Sequence, residues 1–146
     1  MSQQPTPAPS ALFEQDETAW LELTAALIAQ GRLGEVDHAH LSEYLTDMAR
    51  RDRREVLSRL VVLLVHLLKW EHQPEQHTGS WDATILNQRG ELRDLLESRT
   101  LANYAAEVLA KAYDRAVKQA SREMGAEPSA LRPSCPWSLE QIVSQE

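Results

Sequence analysis

The sequence has little of what disulfide-bonded, zinc-binding or secreted proteins need. Its single cysteine, Cys135, allows no internal disulfide bond and no cysteine-based zinc site. The first ten residues, MSQQPTPAPS, contain neither a basic nor an apolar region, so we expect no signal peptide. These features together predict a protein of the reducing cytoplasm.

The chain also lacks an excess of positive charge. Lys and Arg total 15 against 22 Asp and Glu, and the formal net charge of −7 disfavours contact with phosphate backbones. The one dense basic cluster, at residues 50–54, is interleaved with acidic residues and is more typical of a solvated helix face. The composition therefore disfavours nucleic-acid binding, which as an alternative would use the anion-binding candidates Arg50, Arg51, Arg53 and Arg54.

The longest apolar run is too short to cross a membrane. It reads VLSRLVVLLVHLLKW at residues 56–70, whereas a membrane-spanning helix needs about 20 apolar residues. Leucine dominates the run and no second strand-like run exists to pair with it, so it predicts a helix. A helix that is apolar all round is normally covered on all sides. We therefore expect an all-α fold, a single-domain bundle of about five helices around a buried central helix at about 52–71, and no membrane contact.

Periodicity and capping residues place the remaining helices. Residues 1–11 are rich in proline and are expected to be a disordered lead, and residues 12–146 to form the single helical domain. Gly90 inside the fourth helix suggests close backbone packing at that point. The predicted elements are helices at about 13–30, 38–50, 52–71 and 101–124, a fourth helix in chain order that is capped by Thr78 or Ser80, and a short C-terminal turn at 138–143 with a Ser138–Gln141 capping box.

The boundary between the second and third predicted helices is open. Asp37 can cap the second helix, whose predicted apolar face consists of Leu41, Tyr44, Leu45 and Met48. Asp52 followed by Glu55 has the spacing of a capping box, which favours a new start. No Gly or Pro forces a break there, however, so one bent continuous helix is the alternative.

Several short pieces of the sequence resemble a known family. They are HLLKW at 66–70, Gln73-Pro74, Ser80-Trp81, Thr84-Ile85 and Gln88-Arg89, and they look like the core signature of the bacterial family called domain of unknown function 29. The resemblance implies a compact, all-helical bacterial protein without an assigned reaction. The chain departs from the family pattern where Glu43 is followed by Tyr44 instead of a second acidic residue, and at Ala49, where glycine is frequent.

His66 is the residue that looks most out of place. A polar group in so apolar a run must find a hydrogen-bond partner or cost about 1–3 kcal/mol. Glu43 and Asp47, four residues apart on the second helix, would meet His66 only if the second and third helices form a hairpin. In that case the three could serve as metal ligands or as an acid–base set. The more ordinary interpretation is a satisfied core histidine and carboxylates paired with arginines, and we expect no bound metal.

A second set of polar and aromatic residues shares one face of the third helix and could line a ligand groove together with residues of the fourth. Tryptophans at helical spacing are usually core residues, yet they can also stack on a ligand. The ligand-groove candidates are Arg59, His66, Lys69, Trp70, Gln73, Trp81 and Arg89.

The sequence contains no recognised catalytic motif. We see no Ser, His and Asp arrangement, no glycine-rich phosphate loop and no paired cysteines, and we expect no cofactor. The preferred prediction is a non-catalytic intracellular helical module that acts through protein–protein contacts, including self-association. The alternatives are a metal-binding or acid–base enzyme that uses Glu43, Asp47 and His66, and nucleic-acid binding through the arginine cluster.

Overall fold

The computed structural model describes residues 8–144. This range contains six α-helices and three short 3-10 turns but no β-strand, which confirms the all-α prediction. The chain divides into two compact units, Met1–Ala49 and Arg50–Glu146. The helices are α1 (Pro9–Gln15), α2 (Glu17–Ala29), α3 (His38–His72), α4 (Gly79–Leu95), α5 (Arg99–Met124) and α6 (Leu139–Val143).

Two helices replace the predicted first helix. Asp16 has φ −155° and ψ 89°, which is not helical, and its side chain accepts a hydrogen bond from the Ala19 N–H at 3.1 Å as the N-cap of α2. α1 begins at Pro9, inside the predicted disordered lead, because proline is well tolerated in the first turn of a helix. The rest of that lead, residues 1–7, lies outside the described residues.

The first unit is organised around Trp20, which is fully buried. The Phe13 ring packs edge-on against it, with 4.9 Å between ring centroids, and the Tyr44 ring lies at 5.8 Å. The Trp20 indole N–H donates to Asp37 Oδ2 at 3.3 Å. Asp37 also caps α3, as predicted, because its Oδ1 accepts from the His40 N–H at 3.3 Å.

α3 is one continuous helix of 35 residues, so of the two alternatives that the sequence left open the continuous helix is the one observed, and separate helices at 38–50 and 52–71 do not form. The capping-box spacing of Asp52 and Glu55 was misleading because it lies inside the helix. Neither glycine nor proline occurs between His38 and His72, so nothing in the covalent chain interrupts the backbone hydrogen bonds.

The core of the second unit forms around the second half of α3, as the apolar run predicted. Leu60, Leu63 and Leu64 are completely buried. Alanines on α5, including Ala112 and Ala116, are also completely buried, which is the pattern of closely approaching helices. The remaining core residues are Val56, Leu57, Val65, Leu68, Ile85, Leu92, Leu101, Ala105, Tyr113, Ala120, Leu131 and Ile142.

Local signals end and begin the helices of the second unit. Gly125 terminates α5 in the left-handed region, with φ +67°. Ser138 and Gln141 form both hydrogen bonds of the predicted capping box at the start of α6. Gly90 is different: a Cβ placed there would meet nothing within 4 Å, so the predicted close packing at this glycine is wrong. No helix in the described part of the chain combines the length and apolarity needed to cross a membrane.

Candidate functional site

A cavity of about 180 Å³ lies in the second unit between the end of α3 and α4. A 3-10 turn at Pro74–Gln76 separates the two helices. On α3, the lining residues are three positions apart, and on α4 they follow the three- and four-residue spacing of one helix face. The lining residues are Leu67, Trp70, Asp82, Ile85 and Arg89.

Further aromatic side chains lie close to Trp70, which lines the cavity. The Trp70 and His77 rings contact each other edge-on, with centroids 3.8 Å apart, and the centroid of the Trp81 ring lies 6.4 Å from that of His77. His77 Nε2 lies 2.9 Å from Asp82 Oδ2, although the geometry is not that of a hydrogen bond. Trp70 remains 39% exposed, so the cavity has an aromatic wall that solvent reaches.

The two cations near the cavity are in different electrostatic situations. Lys69 Nζ pairs with Glu123 Oε2 at 2.9 Å and lies 5.7 Å from the centre of the Trp81 ring. This hydrogen bond from Lys69 is the main reason that the pKa of Glu123 is lowered. The positive charge of Lys69 is thus already compensated.

Arg89 has no such compensation. Its Nε–H donates to the Ile142 carbonyl oxygen at 2.9 Å, which ties α4 to α6. Within residues 8–144, no carboxylate pairs with the guanidinium, and the Nη groups have no hydrogen-bond partner. Burial, with a smaller contribution from the nearby Arg93, lowers the pKa of Arg89. A partly buried cation therefore lines the cavity without an anion beside it.

The structure distributes the predicted groove residues over more than one place. Trp70 and Arg89 line the cavity, and Lys69 and Trp81 join it through ring contacts. Arg59 lies apart, since it bonds to Glu55 at 2.9 Å and to Gln88 at 3.2 Å.

Two further groove candidates form hydrogen bonds with the backbone of their own helix, α3. The His66 Nδ1–H donates to the Val62 carbonyl oxygen at 2.9 Å, one turn earlier on α3. The Gln73 backbone N–H donates to the Lys69 carbonyl oxygen at 2.7 Å, at the end of the same helix. The polar partner that His66 required therefore comes from its own backbone, not from a facing carboxylate.

Sequence reasoning missed three residues of the cavity wall: Leu67, Asp82 and Ile85. A signal was present, because Asp82, Ile85 and Arg89 fall on one helix face by their spacing. What the spacing did not indicate was that this face of α4 lies against the end of α3.

The hairpin that would bring Glu43 and Asp47 to His66 does not form, because all three residues belong to the continuous helix α3. Residues so far apart along one helix cannot converge on a single ion or substrate atom. Across the described range, no group of three or more His, Cys, Asp or Glu side chains is arranged to hold a metal ion.

The arginine cluster is part of α3. Arg51 and Arg54 are exposed, whereas Arg53 is half-buried, and its guanidinium carbon lies 5.9 Å from the centre of the Tyr104 ring. One arginine of the cluster is thus engaged in packing within the second unit. Nucleic-acid binding by this cluster stays a prediction.

Comparison with known proteins assigns a family but no activity. No curated protein and no solved structure matches the chain. One family model matches residues 12–146, in agreement with the resemblance seen in the sequence. The five signature pieces lie at the end of α3, in the turn after it and on α4 up to Arg89, which is where the cavity is. The chain belongs to the family described as Domain of unknown function DUF29.

Proposed function

We propose that the protein is a non-catalytic helical module that acts through protein–protein contacts, and that a second copy of the chain is the partner. One observation carries this proposal. Leu45 and Met48, which belong to the predicted apolar face, are 57% and 43% exposed on α3 in the first unit. Since they are three residues apart on a helix, they form one apolar surface.

The first unit has an unusual share of exposed apolar side chains. Six large apolar residues are exposed in the described chain, and four of them belong to the first unit. Besides Leu45 and Met48, these are Ile28 and Leu33. Isolated exposed apolar residues are normal on protein surfaces, whereas adjacent ones mark contact sites. The pair on α3 is the adjacent set, so we assign the contact to the Leu45–Met48 surface.

The apolar character of this pair favours a second copy as the partner. By their spacing on α3, Glu43 and Asp47 fall on the side of the helix away from Leu45 and Met48, so the contact assigned here is apolar. A two-fold symmetric interface must be self-complementary, and an apolar pair that faces its own copy meets this condition.

The expected dimer is weak. A fully buried Leu or Met contributes about 1.5–3 kcal/mol, and both residues are already about half covered. Four such side chains in a dimer oppose an association cost of at least about 4 kcal/mol. We therefore expect a concentration-dependent dimer. The single cysteine and the family resemblance support our further proposal that the protein works in a bacterial cytoplasm.

Sedimentation velocity of the full chain over a wide concentration range tests this proposal. Wild-type protein should shift from monomer to dimer with increasing concentration, and the double variant Leu45→Gln/Met48→Gln should stay monomeric with unchanged helical circular dichroism. Leu86→Gln is the matched control, because Leu86 is 56% exposed on α4 and should not affect dimerisation. A monomeric wild type, or a double variant that dimerises equally well, would refute the proposal.

A further inference from the structure

We propose that the cavity lined by Trp70 and Arg89 binds a small organic monocarboxylate with an apolar, ring-sized body. This inference goes beyond self-association and does not depend on it, because the cavity and the Leu45–Met48 surface belong to different units. Each can fail without the other.

Arg89 identifies the charged group of the ligand. Its guanidinium is partly buried at the cavity, is held in orientation by the Nε–H bond to Ile142, and has unpaired Nη groups among the described residues. A planar guanidinium with free N–H groups matches the geometry of a carboxylate, which accepts two parallel hydrogen bonds. Burial without a counter-ion is unfavourable, so a bound carboxylate would supply the compensation that the protein itself does not provide.

Lys69 does not compete for this role. It is already paired with Glu123 at 2.9 Å, and its side chain is only 16% exposed. We therefore expect the negatively charged group of the ligand to bind Arg89 and not Lys69. A substitution at this one residue tests the proposal.

The walls of the cavity identify the body of the ligand. Leu67, Ile85 and the Trp70 indole supply apolar surface, and ligand sites typically combine such walls with a few polar groups. The volume of about 180 Å³ is adequate for a single ring, since a buried apolar cavity of about 150 Å³ binds benzene in another protein.

Asp82 limits what the far end of the ligand can be. It lies on the same face of α4 as Arg89, about two helical turns earlier, so the two charges are separated by roughly 10 Å along the helix axis. A second carboxylate at that end would be repelled by Asp82, whereas a neutral or cationic group would not. The site therefore selects monocarboxylates over dicarboxylates.

Isothermal titration calorimetry of the full chain tests the inference with three related probes. Phenylacetate should bind with a dissociation constant in the millimolar range or tighter. Its neutral analogue phenylacetamide and the dianion 1,4-phenylenediacetate should bind at least about tenfold more weakly, which is a difference of about 1.4 kcal/mol. Absence of phenylacetate binding, or equal binding of the amide, would overturn the assignment of a carboxylate.

Variants assign the binding to the cavity. Arg89→Gln should weaken phenylacetate binding at least about tenfold, and Arg93→Gln, one turn further along α4 at an exposed position, is the matched control that should not. Trp70→Leu and Asp82→Asn leave the Arg89–Ile142 hydrogen bond untouched, so they keep the test informative if Arg89→Gln does not fold. Trp70→Leu should weaken phenylacetate binding, and Asp82→Asn should selectively improve binding of the dianion. Unchanged affinities in these variants would overturn the proposed site.

Discussion

Replacing Asp37 by asparagine should destabilise the protein measurably, although the two side chains are nearly the same size. Asp37 Oδ2 accepts hydrogen bonds from the Trp20 indole N–H at 3.3 Å and from His40 Nδ1 at 2.6 Å. Its Oδ1 accepts from the His40 backbone N–H at 3.3 Å. The carboxylate side chain is only 8% exposed, so water cannot replace these bonds.

The magnitude follows from the donors and acceptors of asparagine. Its single oxygen can face either Trp20 and the His40 ring or the His40 backbone, and its NH₂ group then opposes an N–H donor on the other side. One buried donor is left without an acceptor, at a cost of about 1–3 kcal/mol. Asp37→Ala loses every acceptor and the cap of α3 as well, which adds about 1 kcal/mol.

Urea denaturation followed by circular dichroism measures these differences, with Glu22→Gln as the control at an exposed position of α2. Burial raises the pKa of Asp37, but the hydrogen bonds from His40 and Trp20 outweigh this and lower it overall. The ionised carboxylate therefore stabilises the folded state above the unfolded-state pKa of about 3.9. This contribution is lost as the pH falls through the lower folded-state pKa, so wild type and Asp37→Asn should converge in acid.

The reasoning is refuted if the free energies of unfolding of Asp37→Asn and Glu22→Gln both lie within about 0.5 kcal/mol of the wild-type value, which is the range of ordinary surface substitutions. A difference between wild type and Asp37→Asn that persists undiminished at the lowest pH would contradict the role given to ionisation.

Four further predictions concern the second unit. Leu64→Ala should lower the free energy of unfolding by about 2–5 kcal/mol in chemical denaturation, because Leu64 is completely buried and leaves a cavity; a loss typical of a surface residue would contradict the assigned core. Gly90→Ala should raise the melting temperature, since the new Cβ meets nothing within 4 Å and the helix interior loses a flexible glycine. Gly125→Ala should lower the melting temperature, because φ is +67° there. If the melting temperatures of the two glycine variants shift in the same direction, this account is wrong. Cys135 should react with iodoacetamide only slowly at neutral pH, since burial raises the pKa of its thiol; rapid labelling of the folded protein would show that interpretation to be wrong.

The fold class and the position of the core were predictable because they depend on local composition. The apolar run around Leu60 and Leu64 has no polar face, so it had to be covered, and glycine and capping residues mark the helix ends at Gly125 and Ser138. The family was also recognisable from short, spaced pieces of sequence. The continuity of α3 was not predictable, because a capping-box spacing at Asp52 and Glu55 is also compatible with the interior of a helix.

The sequence by itself determined that the chain is helical. It also determined which residues share a helix face and which stretch of the chain forms the core. These properties depend on interactions between residues a few positions apart. Only the tertiary structure decided which faces are covered, and so it left Leu45 and Met48 exposed and brought Leu67 and Trp70 beside Asp82. The tertiary structure also brought the Ile142 carbonyl oxygen within hydrogen-bonding distance of Arg89. No carboxylate of the described chain pairs with the Arg89 guanidinium. Such contacts join residues far apart in the chain, and no local pattern encodes them.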